Sequence, residues 1–168
     1  SFCWSLLKSH GYLLGSPKGK LKILLPQDEK ALSGGVKAPQ KGERPTAAWL
    51  AWQAERERLF AEEGKICFDW FAPKSSELLE RCQLLRELVA DTYPVIIVDE
   101  AQDTGNAAWS CIEKLTGLCQ IICLADLDQQ IFDHLEGVGP ERIEHIKDAL
   151  APVFVDLGSD NNRSPGTE

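Results

Sequence analysis

The residues Val95-Ile96-Ile97-Val98 form a short run that is apolar throughout and closes on two adjacent carboxylates, Asp99 and Glu100. A strand with one wet face alternates apolar and polar side chains. An unbroken apolar run reads instead as a strand covered on both faces, which is the habit of parallel sheets. Two further runs, at 121–124 and 153–155, repeat the pattern, and the stretches between them, 106–118 and 140–151, have helical spacing. Strand, helix, strand, helix, strand in that order predicts an α/β fold with a parallel sheet flanked by helices. In open sheets of this kind ligands sit beyond the carboxyl ends of the strands, where Asp99 and Glu100 fall.

Two neighbouring acids at such a place can divide two tasks. One can hold Mg²⁺, directly or through its water shell, and the other can orient a water aimed at a phosphorus atom. An apolar strand followed by Asp-Glu is the Walker B pattern of nucleoside triphosphatases. Read alone, the pair is also an ordinary strand-end turn with two solvated acids.

The rest of the chain narrows the setting. Its 168 residues suffice for one domain, and a hydrophobic share of 43% can supply a core. No run approaches the roughly 18 apolar residues of a membrane span. The first residues, Ser1-Phe2-Cys3-Trp4, carry no basic segment of a signal peptide. With no Met at its start, the sequence reads as beginning inside a longer chain or after processing. The six cysteines include no Cys-x-x-Cys, and the three histidines add no paired ligand spacing, so reduced thiols are expected rather than zinc or disulfides. The net charge of −8 is unevenly spread. Residues 16–45 hold seven Lys/Arg against three Asp/Glu, whereas residues 90–168 hold four against fifteen. The basic stretch suits either a solvated loop or contact with a phosphate backbone.

Local signals place the remaining elements. A helix is predicted over 1–14, ended by Gly15-Ser16-Pro17. Residues 16–45, rich in Gly, Pro and Lys, predict a loop with room for one strand at 21–25 and no packed element. Thr46 can cap a helix to about 63, stopped by Gly64. An aromatic turn follows at 68–71, and Ser75 or Ser76 is expected to cap a further helix to about 90. Trp4, Trp70 and Trp109 read as packing anchors. Trp49 and Trp52 fit that role or a base-stacking one.

Asp99-Glu100-Ala101-Gln102-Asp103-Thr104 resembles motif II of the UvrD/Rep-like, superfamily 1 DNA helicases. In order and spacing, Leu124-Ala125-Asp126-Leu127-Asp128-Gln129-Gln130-Ile131-Phe132 resembles motif III, and Asn161-Asn162-Arg163-Ser164 resembles motif IV. Ser1-Phe2 matches the tail of the motif that lies near single-stranded DNA in that family. The resemblance implies a RecA-like, P-loop NTPase type of parallel sheet, present as a partial domain with a small, mostly helical insertion. Residues 1–15 would open the domain, 16–64 would be a short 1B-like insertion, and 65–168 would carry motifs II, III and IV.

It further implies ATP and Mg²⁺ as cofactors, DNA as partner, and a cytoplasmic setting, in the bacterial cytosol or nucleoid. Asp99 would hold Mg²⁺ and Glu100 would position the attacking water. Gln129 would sense the γ-phosphate, and Arg163 would stabilise charge developing there, a task suited to a permanently charged fork. Gln102 and Asp103 would brace the neighbouring motifs, while Ser1, Phe2 and Phe132 would face DNA. Asp126 and Asp128 shape the motif III turn or cap it.

Several positions depart from the family pattern: Ala125 for Gly, Leu127 for Pro, Phe132 for Tyr, and Asn162 for an aromatic. No Gly-x-x-x-x-Gly-Lys-Ser/Thr phosphate loop occurs in the 168 residues. Two other readings stand beside the motor: a non-catalytic nucleic-acid-binding or interaction domain that keeps the fold, and a P-loop ATPase of different output.

Overall fold

A computed structural model describes residues 2–40, 42–126 and 138–156. Helix α1 (Phe2–His10) runs into a 3₁₀ turn (Gly11–Leu14), and Gly15 stops it at φ 99°, a conformation that suits a residue without Cβ. The stretch predicted as a loop with one strand holds a helix besides. It contains β1 (Lys22–Ile23) and also a helix, α2 (Pro26–Ser33). The start and stop signals of α2 are ordinary: Pro26 opens it, Asp28 and Glu29 sit in its first turn, and Gly34 closes it at φ 63°. It escapes a search for periodicity because it buries no residue and so has no apolar face to repeat.

Helix α3 (Ala47–Arg58) begins as expected, with Thr46 Oγ1 accepting the Trp49 N–H at 3.1 Å. It widens into a π turn (Leu59–Glu63) and ends at Gly64 with φ 67°. Here glycine is required twice. A Cβ at Gly64 would stand 2.8 Å from the Lys20 carbonyl oxygen, where β1 runs in to pair with β2 (Lys65–Ile66). Gly64→Ala is therefore expected to lower stability by about 2 kcal/mol, read from the urea midpoint, through the left-handed φ and the clash together. An unchanged midpoint would show that this junction yields freely.

Helices α4 (Phe71–Arg81) and α5 (Gln83–Thr92) follow a 3₁₀ turn (Phe68–Trp70) and are separated by an extended Cys82. The expected cap at Ser75 or Ser76 is corrected: both lie inside α4 and are buried. Ser75 donates its hydroxyl to the Cys3 carbonyl at 3.2 Å, and the Ser76 and Ser110 hydroxyls meet at 2.7 Å. Small polar side chains let α1 and α6 (Asn106–Glu113) approach α4 closely. Leu6, Leu7, Leu78, Leu79, Leu85 and Leu115 form the core around that contact.

The second parallel pair joins β3 (Val95–Val98) to β4 (Gln120–Cys123), in register from Val95↔Gln120 to Val98↔Cys123. Ile96, Val98, Ile121 and Cys123 turn toward Trp109 of α6 and Ile146 of α7 (Pro140–Leu150). The opposite face is open: Ile97 is 62% exposed, and Val95, Ile122 and Leu124 are exposed too. Coverage of both faces was expected, and among the described residues only one is covered. The run at 153–155 forms no strand, with Val153 92% exposed. A strand needs an edge to pair with, and none lies beside it among the described residues. No helix among the described residues is long and apolar enough to cross a membrane.

Candidate functional site

Where β3 ends, Asp99 and Glu100 both stand in solvent. Glu100 takes a left-handed backbone, φ 49° and ψ 48°, which costs a residue with a Cβ about 1 kcal/mol. That reversal starts a 3₁₀ turn (Ala101–Asp103) whose first two side chains are fully buried. The turn is tied to the neighbouring strand's end: the Ala101 N–H donates to the Leu124 carbonyl at 2.8 Å, and Leu124 N–H to Val98 at 2.8 Å.

Gln102 is the hub. Its amide nitrogen donates to Glu100 Oε2 at 2.7 Å, and its amide oxygen accepts the Asp126 N–H at 3.2 Å. Its own carbonyl accepts the Gly139 N–H at 2.6 Å, just ahead of α7. One buried side chain thus joins the acidic pair to the segment after β4. A Gln is suited to this because it offers a donor and an acceptor at once.

The Asp99-Glu100 pair also fits a hard cation. Asp99 Oδ1 accepts the Glu100 N–H at 3.1 Å and Glu100 Oε2 accepts from Gln102, so each carboxylate keeps a second oxygen. Mg²⁺ commonly takes one or two carboxylates and fills its shell with water and phosphate oxygens.

A family model for the UvrD/REP helicase N-terminal domain matches residues 19–148, from the approach to β1 through most of α7. The chain belongs to the UvrD/REP helicase N-terminal domain family. No curated protein matches it.

In this helicase-family chain the acidic loop is held from behind by a residue that motif reading missed. Arg142, on α7, is 1% exposed. Its Nε donates to the Thr104 carbonyl at 2.9 Å and its Nη2 to Asn106 Oδ1 at 2.5 Å, on either side of the loop's exit. Nη1 meets His145 Nδ1 at 3.2 Å, and the guanidinium lies over the Trp109 ring, 5.4 Å from its centroid. Burial lowers the Arg142 pKa from its ordinary value. The Glu113 carboxylate closes the ring of contacts, accepting from Trp109 Nε1 at 2.9 Å and meeting His145 Nε2 at 2.9 Å. The sequence does hold a sign of this: Arg142 precedes Ile146 by one helical turn and so shares its buried side.

The structure brings together Asp99, Glu100 and Gln102. Phe2 lies on α1, 42% exposed and edge-on to Tyr93 with ring centroids 6.4 Å apart. Ser1, Gln129, Phe132 and Arg163 lie outside the described residues, as does Asp128. Trp52 and Trp109 are buried anchors, while Trp4, Trp49 and Trp70 are half-buried. All six cysteines are free thiols.

One other group has metal-ligand character. Glu29, Cys67 and Asp69 place their ligand atoms within 4.8 Å of one another. One of the three is already committed: buried Arg56 pairs with Asp69. Burial is the main cause that pushes the Cys67 thiol up to about 12, keeping its proton in place.

Proposed function

We propose that the chain is part of an ATP-driven DNA helicase or translocase motor, with Asp99 and Glu100 as its hydrolytic carboxylates. The observation that carries this reading is the solvent-facing acid pair at the carboxyl end of a parallel strand, wired through Gln102 to Asp126. Membership of the helicase family supports it. Asp99 is the residue to hold Mg²⁺, which would draw charge from the phosphate oxygens. Glu100, held by Gln102, would orient water toward the γ-phosphate. Gln129 would report the phosphate's presence and Arg163 would neutralise its developing charge. Ser1, Phe2 and Phe132 would lie along single-stranded DNA. A DNA substrate suits a cytoplasmic or nucleoid setting.

The finer fold assignment is a RecA-like sheet. Residues 16–64 would be a short 1B-like insertion between the domain's opening at 1–15 and its main part at 65–168. The bare apolar face of β3 and β4 and the unpaired run at 153–155 agree with a sheet that takes more strands than these residues supply. The phosphate cradle must also come from other residues, since no Gly-x-x-x-x-Gly-Lys-Ser/Thr is present.

Two measurements test the proposal. These 168 residues alone should bind ATP no tighter than millimolar and unwind nothing; micromolar binding would contradict the assignment of the cradle elsewhere. A polypeptide that joins them to a phosphate loop should hydrolyse ATP faster when single-stranded DNA is added. Turnover indifferent to DNA would favour an ATPase of another output, and absent turnover a non-catalytic domain.

A further inference from the structure

We propose that Glu29, Cys67 and Asp69 form a Zn²⁺ site that pins α2 to the end of β2. Their ligand atoms, one from each side chain, lie within 4.8 Å of one another. Backbone contacts explain the meeting. The Leu24 N–H donates to the Ile66 carbonyl at 2.8 Å, which sets the start of α2 beside the end of β2. The Glu29 N–H donates to the Leu25 carbonyl at 2.9 Å, placing Glu29 in the first turn of α2. The Trp70 N–H donates to the Cys67 carbonyl at 3.2 Å, closing the turn that carries Asp69. Around tetrahedral Zn²⁺, with bonds of about 2.0–2.3 Å, ligand atoms stand roughly 3.5 Å apart, so the side chains need close by little more than about 1 Å.

Two further features call for an ion there. Arg56, 3% exposed, uses Nη2 on Asp69 Oδ1 and so leaves Asp69 Oδ2 for a metal. Its Nε–H points from the same edge of the guanidinium, is buried, and has no acceptor among the described residues. Water on the open fourth position of a zinc ion with three protein ligands supplies one. The guanidinium is itself fixed over the Trp70 ring, 4.4 Å from its centroid, so it can orient a ligating carboxylate from behind. The second feature is α2, a helix of eight residues that buries none of them. A helix so short is marginal without packing. A link from Glu29 through the ion to Cys67 and Asp69 supplies the tie.

The donor set selects the ion. A thiolate with two carboxylates suits Zn²⁺ and discriminates against Mg²⁺, which favours oxygen alone. Arg56 cancels one of the three negative charges, and a divalent ion neutralises the rest. Burial holds the proton on the metal-free Cys67 thiol. A coordinating thiol gives its proton up, so it passes to solvent as the Zn–S bond forms. Glu29 and Asp69 also line an open cleft of about 340 Å³, whereas Cys67 is 2% exposed. The ion therefore enters from the cleft and finds its sulfur ligand at the inner end.

The test titrates the folded chain, its thiols kept reduced, with Cd²⁺ as an optical stand-in for Zn²⁺. Sulfur-to-cadmium charge-transfer absorbance should rise and level at one equivalent. Cys67→Ser should abolish it even though the other cysteines remain. Glu29→Gln alters a helix with no buried residue and so leaves the fold intact. It should weaken Zn²⁺ binding by about tenfold or more, measured in competition with a chromophoric chelator. In the unsubstituted chain Zn²⁺ should slow amide exchange in α2, and Mg²⁺ should not. The proposal is overturned by any of three results: no charge-transfer band at one equivalent, a band unchanged in Cys67→Ser, or Zn²⁺ affinity unchanged in Glu29→Gln.

Discussion

Arg142→Ala is expected to lower the unfolding free energy by about 3–4 kcal/mol, measured by urea denaturation of the folded chain. The guanidinium is buried and donates to the Thr104 carbonyl and to Asn106 Oδ1. Truncation leaves both acceptors without that donor and opens a hole against Trp109, so lost hydrogen bonds and lost packing act together. Arg142→Lys keeps the charge but cannot span two acceptors with a planar fork, and should recover less than half of the loss. A change under about 1 kcal/mol for Arg142→Ala would mean that water replaces the guanidinium and that the loop does not depend on it. In a complete motor the same substitution should also reduce ATP turnover, because the exit of the acidic loop at Thr104 and Asn106 would lose its anchor.

The acidic pair and its place at the end of a parallel strand were legible from a short apolar run followed by Asp99-Glu100. Strand β4, helix α7 and the Thr46 cap were legible for similar reasons: each has a strong local signal that its packing reinforces. Helix α2 was not, because its start and stop residues stand without an apolar face between them. The cap expected at Ser75 or Ser76 failed because a serine can also serve as a small polar residue between helices, and sequence does not distinguish the two uses. The run at 153–155 was read correctly as apolar, but it forms no strand among the described residues, since pairing is a property of the neighbour as much as of the run.

Within the site, motif reading gives residue types but not their wiring. That Gln102 reaches both Glu100 and the Asp126 amide depends on the left-handed turn at Glu100. That Arg142 closes the loop from behind depends on the docking of α7. A buried arginine is uncommon enough that its position one turn before Ile146 is a usable signal, once the apolar face of the helix is drawn.

Glu100→Gln probes the chemistry with little disturbance of the fold. The amide has the same size, keeps an oxygen to accept from Gln102, and meets the same backbone requirement at φ 49°. What it loses is the negative charge and basicity needed to align or deprotonate water. If Glu100 has that task, turnover should fall by about a hundredfold to ten-thousandfold with nucleotide affinity nearly unchanged. Asp99→Asn should differ in kind, raising the Mg²⁺ concentration needed for half-maximal turnover.

The direct measurement is single-stranded-DNA-stimulated ATP hydrolysis alongside ATP binding, for wild type and Glu100→Gln, in a polypeptide that joins these residues to their phosphate loop. The expected result is retained binding with hydrolysis all but abolished; DNA-stimulated turnover at the wild-type rate would show that the acid pair at the end of β3 is a solvated turn and not the hydrolytic centre.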